Sequence, residues 1–352
     1  VSIRLFFAHS PSRSPLMASA HILSVADESP TAWPYAFDER DRLQRSAHLD
    51  RFGVHTYTDD PSSADVILFV ENCNTTRHFW EARQHPVYQA HRDRCFLFSR
   101  NDLPIPFLPG IYASIPRRWY DPTRMRSGFY LDVFDKDFIH EAPPDLNRKY
   151  LYSFIGQLST DPIRAALADL SHPDQFVFDT SSYWPYADLP DTTRLALETQ
   201  YTEVAAHSRF VLCPRGLGVS SIRLFEMMRM GRPPVIISDE WVPPEGPDWD
   251  TFCLRVPERH IDRIPMLLEA RADEAVNMGR AARAAWEDWF SPETTFHRVV
   301  EWCLDLRSTV PTSKWTTSLR VAQQLTDPTS LRSFLRTTAD HVAHRLRPVT
   351  PS

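Results

Sequence analysis

The sequence predicts an α/β protein made of two halves, each with a parallel sheet covered by helices. Short, almost entirely apolar strands such as residues 66–70 alternate with helical segments, which is typical of such a sheet. The 352 residues, 42% of them hydrophobic, suffice for two domain cores. A charged, proline-rich stretch at residues 134–149 separates the two series. Halves joined in this way usually bind a ligand in the cleft between them, beyond the carboxyl ends of the strands.

The first half is predicted to alternate six strands with two helices. Short apolar runs indicate the strands, and longer amphipathic segments indicate the helices. Gly53 is expected to end the first helix as its C-terminal cap. The predicted strands are residues 3–8, 55–58, 66–71, 95–99, 112–115 and 130–133, and the predicted helices are residues 36–51 and 79–91.

The second half is predicted to contain five strands and six helices. Asp161 followed by Pro162 is typical of a helix N-cap and first turn. The predicted strands are residues 150–155, 176–178, 209–213, 235–238 and 252–256, and the predicted helices are residues 162–170, 192–207, 221–230, 261–271, 273–289 and 294–306. We therefore expect domains at residues 1–147 and 148–310. Residues 311–352 form a basic, amphipathic tail, expected as a packed helix or loose segment, with a membrane or partner contact as the alternative.

Charge, hydropathy and cysteine usage exclude several classes of protein. The 39 Lys and Arg residues against 45 Asp and Glu give a net charge of −6, opposite to that of a general nucleic-acid binder. No apolar run approaches the length of about 18 to 20 residues that a membrane span needs. The five cysteines form no C-x-x-C pair and are predicted to be reduced, so we expect a cytoplasmic protein. They are Cys73, Cys95, Cys213, Cys253 and Cys303.

The most informative segment is residues 208–231, where an apolar strand runs through a glycine-containing turn into a helix. Gly216 and Gly218 lie in this turn, although the chain has only 9 glycines. Glycine lets the backbone approach a ligand closely, and the following helix N-terminus offers free N–H groups to an anion. Candidate ligands for the anion are the hydroxyls of Ser220 and Ser221 and the guanidinium groups of Arg215 and Arg223.

Arg223 and Glu226 are three residues apart and therefore share one face of this helix. A carboxylate one turn from the phosphate end is well placed to accept hydrogen bonds from ribose hydroxyls. The alternative is a surface ion pair between the two side chains, which explains their spacing but not the glycines or the paired serines. The pattern therefore favours a nucleotide site.

Several linked motifs in this half resemble the signature of the exostosin family, glycosyltransferase family 47. They are Phe210-Val-Leu-Cys-Pro-Arg-Gly, Ser221-x-Arg223-x-x-Glu226, Gly231-Arg-Pro-Pro-Val-Ile-Ile-Ser-Asp239 and Trp241-x-x-Pro. Tyr152-Ser-Phe-Ile-Gly156 also resembles the strand and glycine that open the family's donor domain. The similarity is clear over residues 208–256 and extends over residues 92–306, most of the chain.

The resemblance implies a GT-B fold, in which two Rossmann-like domains face a central cleft. It also implies inverting transfer of a sugar from a nucleotide-sugar, usually a UDP-sugar, to a glycan or small-molecule acceptor, without an essential metal ion. By the same resemblance Arg215 and Arg223 would hold the diphosphate, Ser220 or Ser221 would cap it, Glu226 would bind the ribose, and Asp239 and Glu240 would face the donor sugar or the cleft. No Asp-x-Asp pair follows a strand in the second half, and Asp135-Lys-Asp137 is expected to be solvated charge in the linker.

An inverting transferase needs a general base, which the resemblance places on the first domain. Residues 92–102 resemble the family's Asp-His-Phe and His-Asp stretch, with Asp93 and Asp102 at the two aspartate positions and with Arg94 and Asn101 as departures. Asp102 is the first candidate for the base. The other candidates are Glu71 and His9, which each follow a predicted strand, and a structural carboxylate stays open as the alternative for the two acids.

Two aromatic segments are candidates for binding sugars. Arg117, Arg118 and Trp119 begin an arginine-rich loop that could grip an anionic acceptor, or could simply be a solvated loop. The segment Tyr183-Trp184-Pro-Tyr186 could stack on a sugar ring or pack on its own domain. The scattered histidines show no metal-ligand spacing.

Two other classes of protein remain as alternatives. Gly216-x-Gly218-x-x-Ser221 imitates the G-x-G-x-x-G of NAD-type oxidoreductases, and Asp239 follows at about the distance of their ribose-binding acid. The serine in place of the third glycine opposes this class. The other alternative is a nucleotide- or glycan-binding protein with the same fold and no catalytic base.

Overall fold

The computed structural model describes residues 17–25, 38–71, 77–143, 145–183 and 186–309, together with short pieces between 322 and 339. In this part of the chain, eleven strands form two sheets, and every strand pairing is parallel. The predicted α/β class is therefore confirmed. The predicted strand at residues 3–8, His9, Cys73 and Trp184 lie outside the described residues.

The first sheet has six strands in the order β2-β1-β3-β4-β5-β6. The strands are β1 Ser19–Leu23, β2 Thr56–Tyr57, β3 Val66–Glu71, β4 Cys95–Ser99, β5 Gly110–Tyr112 and β6 Met125–Ser127, and the helices are α1 Asp38–Leu49, α2 Arg77–Gln84 and α3 Pro86–Ala90. Every side chain of β3 and β4 is buried, as expected for central strands of a sheet covered on both faces.

Several predictions for the first half are wrong in detail. The apolar segment predicted as a strand at 130–133 is part of a 3-10 helix, Leu131–Asp135, whose apolar side chains are buried. The helix predicted at 79–91 is two helices, because the extended backbone of His85 and the missing N–H of Pro86 interrupt it. Gly53 has a φ of 61°, but α1 ends at Leu49, so Gly53 turns the chain after the helix instead of capping it.

The second sheet has five strands in the order β11-β10-β9-β7-β8. The strands are β7 Tyr150–Gly156, β8 Gln175–Asp179, β9 Ser208–Pro214, β10 Pro234–Ile237 and β11 Leu254–Arg255, and the helices are α4 Pro162–Ala165, α5 Asp191–Ala206, α6 Ile222–Met230, α7 Ile264–Glu269, α8 Ala275–Trp289 and α9 Pro292–Thr309. All five predicted strands are present. The helix predicted at 162–170 is shorter, since residues 166–169 are a 3-10 helix.

The last helix crosses back to the first sheet and ties the two halves together. Helix α9 packs along α1, where the Ser46 hydroxyl accepts from the Phe296 N–H at 2.9 Å and the Arg51 N–H donates to the Glu293 carbonyl at 2.9 Å. Between the sheets, the ring of Phe129 lies 5.6 Å from that of Phe225, centre to centre. One hydrophobic core therefore runs through both halves and fixes how they face each other.

Two further sequence expectations can be compared with the described residues. Cys95, Cys213, Cys253 and Cys303 are buried free thiols, as predicted. Among the helices of the described part, we find none with the length and apolar character needed to cross a membrane.

Candidate active site

The turn between β9 and α6, residues 215–221, faces the first domain at the carboxyl end of the second sheet. A Cβ on Gly218 would lie 2.2 Å from the Ser114 hydroxyl oxygen and 2.7 Å from Asp102 Oδ1. The Ser220 N–H donates to that same Ser114 oxygen at 3.3 Å. Only a glycine fits at position 218, because the first domain is already in contact with the backbone there.

Two arginines lie side by side at this edge of the sheet, Arg223 buried and Arg164 half-buried. Arg223, on α6, donates from Nη2 to the Ile155 carbonyl at 2.5 Å, and its guanidinium lies 4.4 Å from the centre of the Phe154 ring. Arg164, on α4, donates from Nε to the Arg215 carbonyl at 2.9 Å. Burial, followed by the charge of Arg223, lowers the pKa of Arg164 to about 10. The two cations therefore repel each other where an anion would stabilise both.

The sequence prediction missed Arg164. A local signal for it exists, because Asp161 caps α4 by accepting the Ile163 N–H at 2.9 Å. This N-cap, predicted from Asp161-Pro162, sets Arg164 in the first turn after β7. Gly216 is the second close approach in the site, since a Cβ there would lie 2.8 Å from Arg164 Nη2. Gly216 and Gly218 thus each lack a side chain at a point where another residue of the protein lies against the turn.

Three buried polar atoms beside these arginines have no hydrogen-bond partner among the described residues. They are the hydroxyl oxygens of Ser220 and Ser221 and Nε of Arg223. Ser221 is the N-cap of α6, yet its side chain accepts no hydrogen bond from the helix. Buried polar groups are rarely left without partners. Orphaned donors at a helix N-terminus fit the oxygens of a phosphate or diphosphate.

A cavity of about 440 Å³ opens beside Arg223, within the size range of small-molecule sites. Three tyrosines give it an aromatic wall, and Glu226 and Glu198 supply acceptor oxygens. The lining residues are Lys136, Phe138, Ile155, Gln157, Thr180, Tyr183, Tyr186, Leu197, Glu198, Tyr201, Ile222, Arg223 and Glu226. An aromatic wall with a carboxylate at one end suits a nucleoside, with its flat base and ribose hydroxyls.

The carboxylate of Glu226 is buried and held from two sides. Lys136 and Tyr201 each donate a hydrogen bond to one of its oxygens. Burial pushes the pKa of Glu226 upwards, but Lys136, Tyr201 and Arg223 outweigh burial and hold it below the ordinary value. Glu226 is therefore an ionised acceptor inside the cavity.

Lys136 belongs to the stretch that was expected to be solvated linker charge. That prediction is wrong for Lys136, which pairs with Glu226. Asp135 is exposed as predicted, and it also accepts from Arg42 Nε at 2.5 Å and pairs with Arg45.

Replacing Lys136 with methionine should make nucleotide binding depend on pH. In the wild type the lowered pKa keeps Glu226 ionised, so the carboxylate's contribution is complete above the ordinary glutamate pKa and is lost only as the pH falls through the lower folded-state value. Without the lysine, burial dominates and raises that pKa. Nucleotide affinity measured by calorimetry should then fall between neutral and mildly acidic pH in Lys136→Met, but stay level in the wild type and in Lys136→Arg. If nucleotide affinity depended on pH in the same way in Lys136→Met and in the wild type, this account of Glu226 would be contradicted.

Arg215, expected at the diphosphate, is engaged by two carboxylates. Its Nη1 donates to Asp161 at 2.5 Å, and its Nε donates to Glu258 at 2.8 Å. Asp239 exchanges hydrogen bonds with the same glutamate, from its N–H to Glu258 Oε1 at 3.1 Å and from the Glu258 N–H to its Oδ1 at 3.1 Å. These contacts join the ends of β9 and β10. Both carboxylates already neutralise the charge of Arg215, which leaves it less attraction for a diphosphate than an unpaired arginine would have.

The arginine-rich loop of the first domain meets the second domain at Glu240. The Arg117 N–H donates to the Glu240 carbonyl at 2.8 Å, and the Arg118 N–H donates to Glu240 Oε2 at 3.1 Å. Trp119 lies in the same 3-10 helix. The predicted acceptor residues and the predicted donor-sugar residue therefore come together across the cleft.

The two described candidates for the base differ in what surrounds them. Glu71 is buried and accepts the Val25 N–H at 2.9 Å and the Ser24 hydroxyl at 3.1 Å, which anchors the segment after β1. Asp102 accepts the Tyr130 hydroxyl at 3.0 Å and flanks Gly218 in the donor-side turn. Burial raises the pKa of Asp102, although the Tyr130 hydrogen bond opposes the shift. Asp102 thus lies against the glycine turn, and its raised pKa favours the protonated form more than in a solvated aspartate.

Among the described residues, one group of histidines and acids comes close enough to suggest a metal. The ligand atoms of His55, His297 and Glu301 lie within 4.8 Å of one another, on the α9 side of the first sheet. His55 Nε2 lies 2.8 Å from Glu301 Oε1, and the two imidazole rings stack at 4.9 Å with an angle of 30°. Because the rings of His55 and His297 are stacked, their nitrogen lone pairs lie in two different planes and do not converge on one point. The arrangement therefore favours the His55–Glu301 hydrogen bond over a metal ion shared by all three residues.

Together, the two facing parallel sheets and the glycine turn that leads into α6 between them define a protein of the GT-B fold class. The model of the Exostosin GT47 domain matches residues 130–270, which include Lys136, Arg164, Arg223 and Glu226. Residues 130–270 are therefore similar to the Exostosin GT47 domain, and the resemblance predicted from the motifs is confirmed.

Curated relatives agree with this match. The chain is 44% identical over 71 residues to an exostosin-1 homolog of Caenorhabditis elegans, a match that covers 20% of this chain and 19% of that protein. It is 23% identical over 271 residues to exostosin-1 of Drosophila melanogaster, covering 70% and 35% of the two chains. The chain thus spans at most about a third of the length of these relatives. Among solved structures, TarM is similar over 75% of this chain and 57% of its own, with a TM-score of 0.42 and 12% identity.

Proposed function

We propose that this chain is an inverting, metal-independent glycosyltransferase that moves a sugar from a UDP-linked donor to a hydroxyl of a glycan or small-molecule acceptor. The observation that carries the proposal is the neighbouring pair Arg164 and Arg223 beside two orphaned serine hydroxyls, next to an aromatic cavity. The Exostosin GT47 domain that contains this pair supports a transfer of sugars.

The diphosphate and the nucleoside of the donor would occupy two neighbouring parts of the site. Its diphosphate would lie at the N-terminus of α6, where Arg164, Arg223 and the hydroxyls of Ser220 and Ser221 supply donors. Its nucleoside would occupy the cavity, with the base against the tyrosines and the ribose hydroxyls on Glu226. The arginines would also stabilise the charge that develops on the diphosphate as it leaves, the task that a metal ion performs in other transferases.

The reaction would proceed by a single displacement. Asp102 takes the proton from the acceptor hydroxyl while the acceptor oxygen forms a bond to the anomeric carbon, and the bond from that carbon to the diphosphate oxygen breaks. Attack from the face opposite the leaving group inverts the anomeric centre. Asp102 is on the first domain and the arginines are on the second, so they approach the reacting carbon from two sides of the cleft.

The acceptor would enter along the first domain. Arg117, Arg118 and Trp119 meet Glu240 at the cleft, so a glycan lying there would contact both domains. Guanidinium groups and an indole suit an acceptor that carries a carboxylate or phosphate.

A panel of nucleotides tests the proposal directly. We expect UDP to raise the melting temperature with EDTA present, and GDP, dTDP, CMP and NAD to raise it less, because a ligand that binds only the folded state stabilises it. Calorimetry on the same panel gives the affinities. A response to NAD alone would indicate an oxidoreductase, and no response to any nucleotide would indicate a protein without a donor site. UDP binding without turnover of any UDP-sugar would indicate a binding protein.

A further inference from the structure

Four arginines meet at the amino-terminal edge of the second sheet, on the side opposite the cavity. We call them the arginine cluster; they are Arg148, Arg209, Arg232 and Arg280. Strands β7 and β9 pair with Tyr150 opposite Ser208. Arg148 precedes the first of these residues by two positions and Arg209 directly follows the second, so both arginines lie at the start of neighbouring strands.

The other two members are brought together by a close contact between helices. A Cβ on Gly279 would lie 2.4 Å from the Gly231 carbonyl oxygen, so α8 touches the carboxyl end of α6 at this point. Arg232 and Arg280 are the next residue after each glycine. Arg232 is buried and donates only to carbonyls, among them Ala206 at the end of α5, at 2.8 Å.

The members of the arginine cluster act on one another through their positive charges. The side chains of Arg209 and Arg280 form neither a hydrogen bond nor an ion pair with the residues that the structure describes. Burial lowers the pKa of Arg148, and the charges of Arg209 and Arg280 lower it further. Burial, then the charge of Arg148, lowers the pKa of Arg232 to about 10. These groups repel one another, although the whole chain carries a net charge of −6.

We propose that the arginine cluster is a second binding site, for an oxyanion such as phosphate or sulfate. Arg209 and Arg280 supply guanidinium donors that no described residue uses, and a guanidinium fork matches the oxygens of such a group. Buried Arg232 adds a fixed positive charge below them. A bound anion removes the repulsion among the arginines. The site is remote from the donor cavity, and the inference does not depend on the proposed transferase activity.

Titration with inorganic phosphate and sulfate, at low concentration and constant ionic strength, tests the site by calorimetry and thermal shift. Arg209→Gln and Arg280→Gln should each bind the anion at least about tenfold more weakly than the wild type, since a hydrogen bond to a charged group is lost. Arg263→Gln, at an exposed arginine of the same domain, is the matched control and should bind as the wild type does. Without anion, the two cluster variants should melt no lower than the wild type, because a repulsion has been removed.

Three results would overturn the proposal: an equal response in all four proteins, no response in the wild type, or a cluster variant that is destabilised without anion. The Arg223→Gln variant separates this site from the donor site, since the response must persist in it. The same titration with dextran sulfate distinguishes the source of the anion. Much tighter binding of dextran sulfate than of free sulfate, lost in Arg209→Gln, would indicate that the natural anion is part of a polymer. Equal affinity per sulfate group would indicate a free anion.

Discussion

Changing Asp102 to asparagine is expected to lower kcat by about 100- to 10,000-fold, the usual contribution of a general base. Asparagine keeps the shape of the side chain and can still accept the Tyr130 hydroxyl, but it cannot take a proton. Nucleotide binding should not weaken, because removing a negative charge near Arg164 leaves that arginine more available to a diphosphate. Turnover of the UDP-sugar that the nucleotide panel selects gives kcat, and calorimetry with UDP gives the affinity.

Glu71→Gln is the matched control for Asp102→Asn. Glu71 is the other described candidate, and it accepts the Val25 N–H and the Ser24 hydroxyl. Glutamine should therefore cost stability at this anchor and leave kcat within a few-fold of the wild type. The reverse pattern, a large loss of kcat in Glu71→Gln and a small one in Asp102→Asn, would transfer the role of base to Glu71. Near-normal turnover in both variants would exclude Glu71 and Asp102 as the general base.

The strands that the sequence predicted well are those whose pattern is set by burial on both faces. Segment 66–71 is almost purely apolar, and β3 occupies these residues with every side chain buried. Strands β1 and β6 were missed because polar residues interrupt them. Ser19 and His21 alternate with apolar residues in β1, and β6 has Arg126 in its centre. Arg126 is buried there while its charge pairs with Asp305 and Glu245, which lie far along the chain.

The candidate site likewise combines residues that one contiguous segment predicts with residues that only the fold brings together. The glycine turn and helix α6 follow from a contiguous segment, so Arg223 and Glu226 could be placed on one helix face from spacing alone. Lys136 could not, because its partner Glu226 lies on another element and only the fold brings them together. The apolar segment predicted as a strand at 130–133 turned out helical for a related reason, since a short apolar run fits either kind of buried element.

Removing either arginine of the proposed diphosphate site should weaken UDP binding by about 1.5 to 3 kcal/mol, the range for hydrogen bonds to charged groups. We expect this loss, more than tenfold in Kd, for Arg164→Gln and Arg223→Gln, measured by calorimetry. Arg215→Gln is the comparison. Both carboxylates that face Arg215 already neutralise it, so its loss should lower the melting temperature more than it lowers UDP affinity.

The relation between affinity and stability distinguishes a ligand site from ordinary packing. If Arg164 and Arg223 only held the fold, removing them would lower the melting temperature of the free protein in proportion to the lost contacts. Because their charges repel each other at close range, replacing Arg164 should instead cost the free protein little while UDP affinity falls. A variant that loses stability and keeps UDP affinity would show that the arginine pair is structural, and the donor diphosphate would then have to bind elsewhere along the cleft.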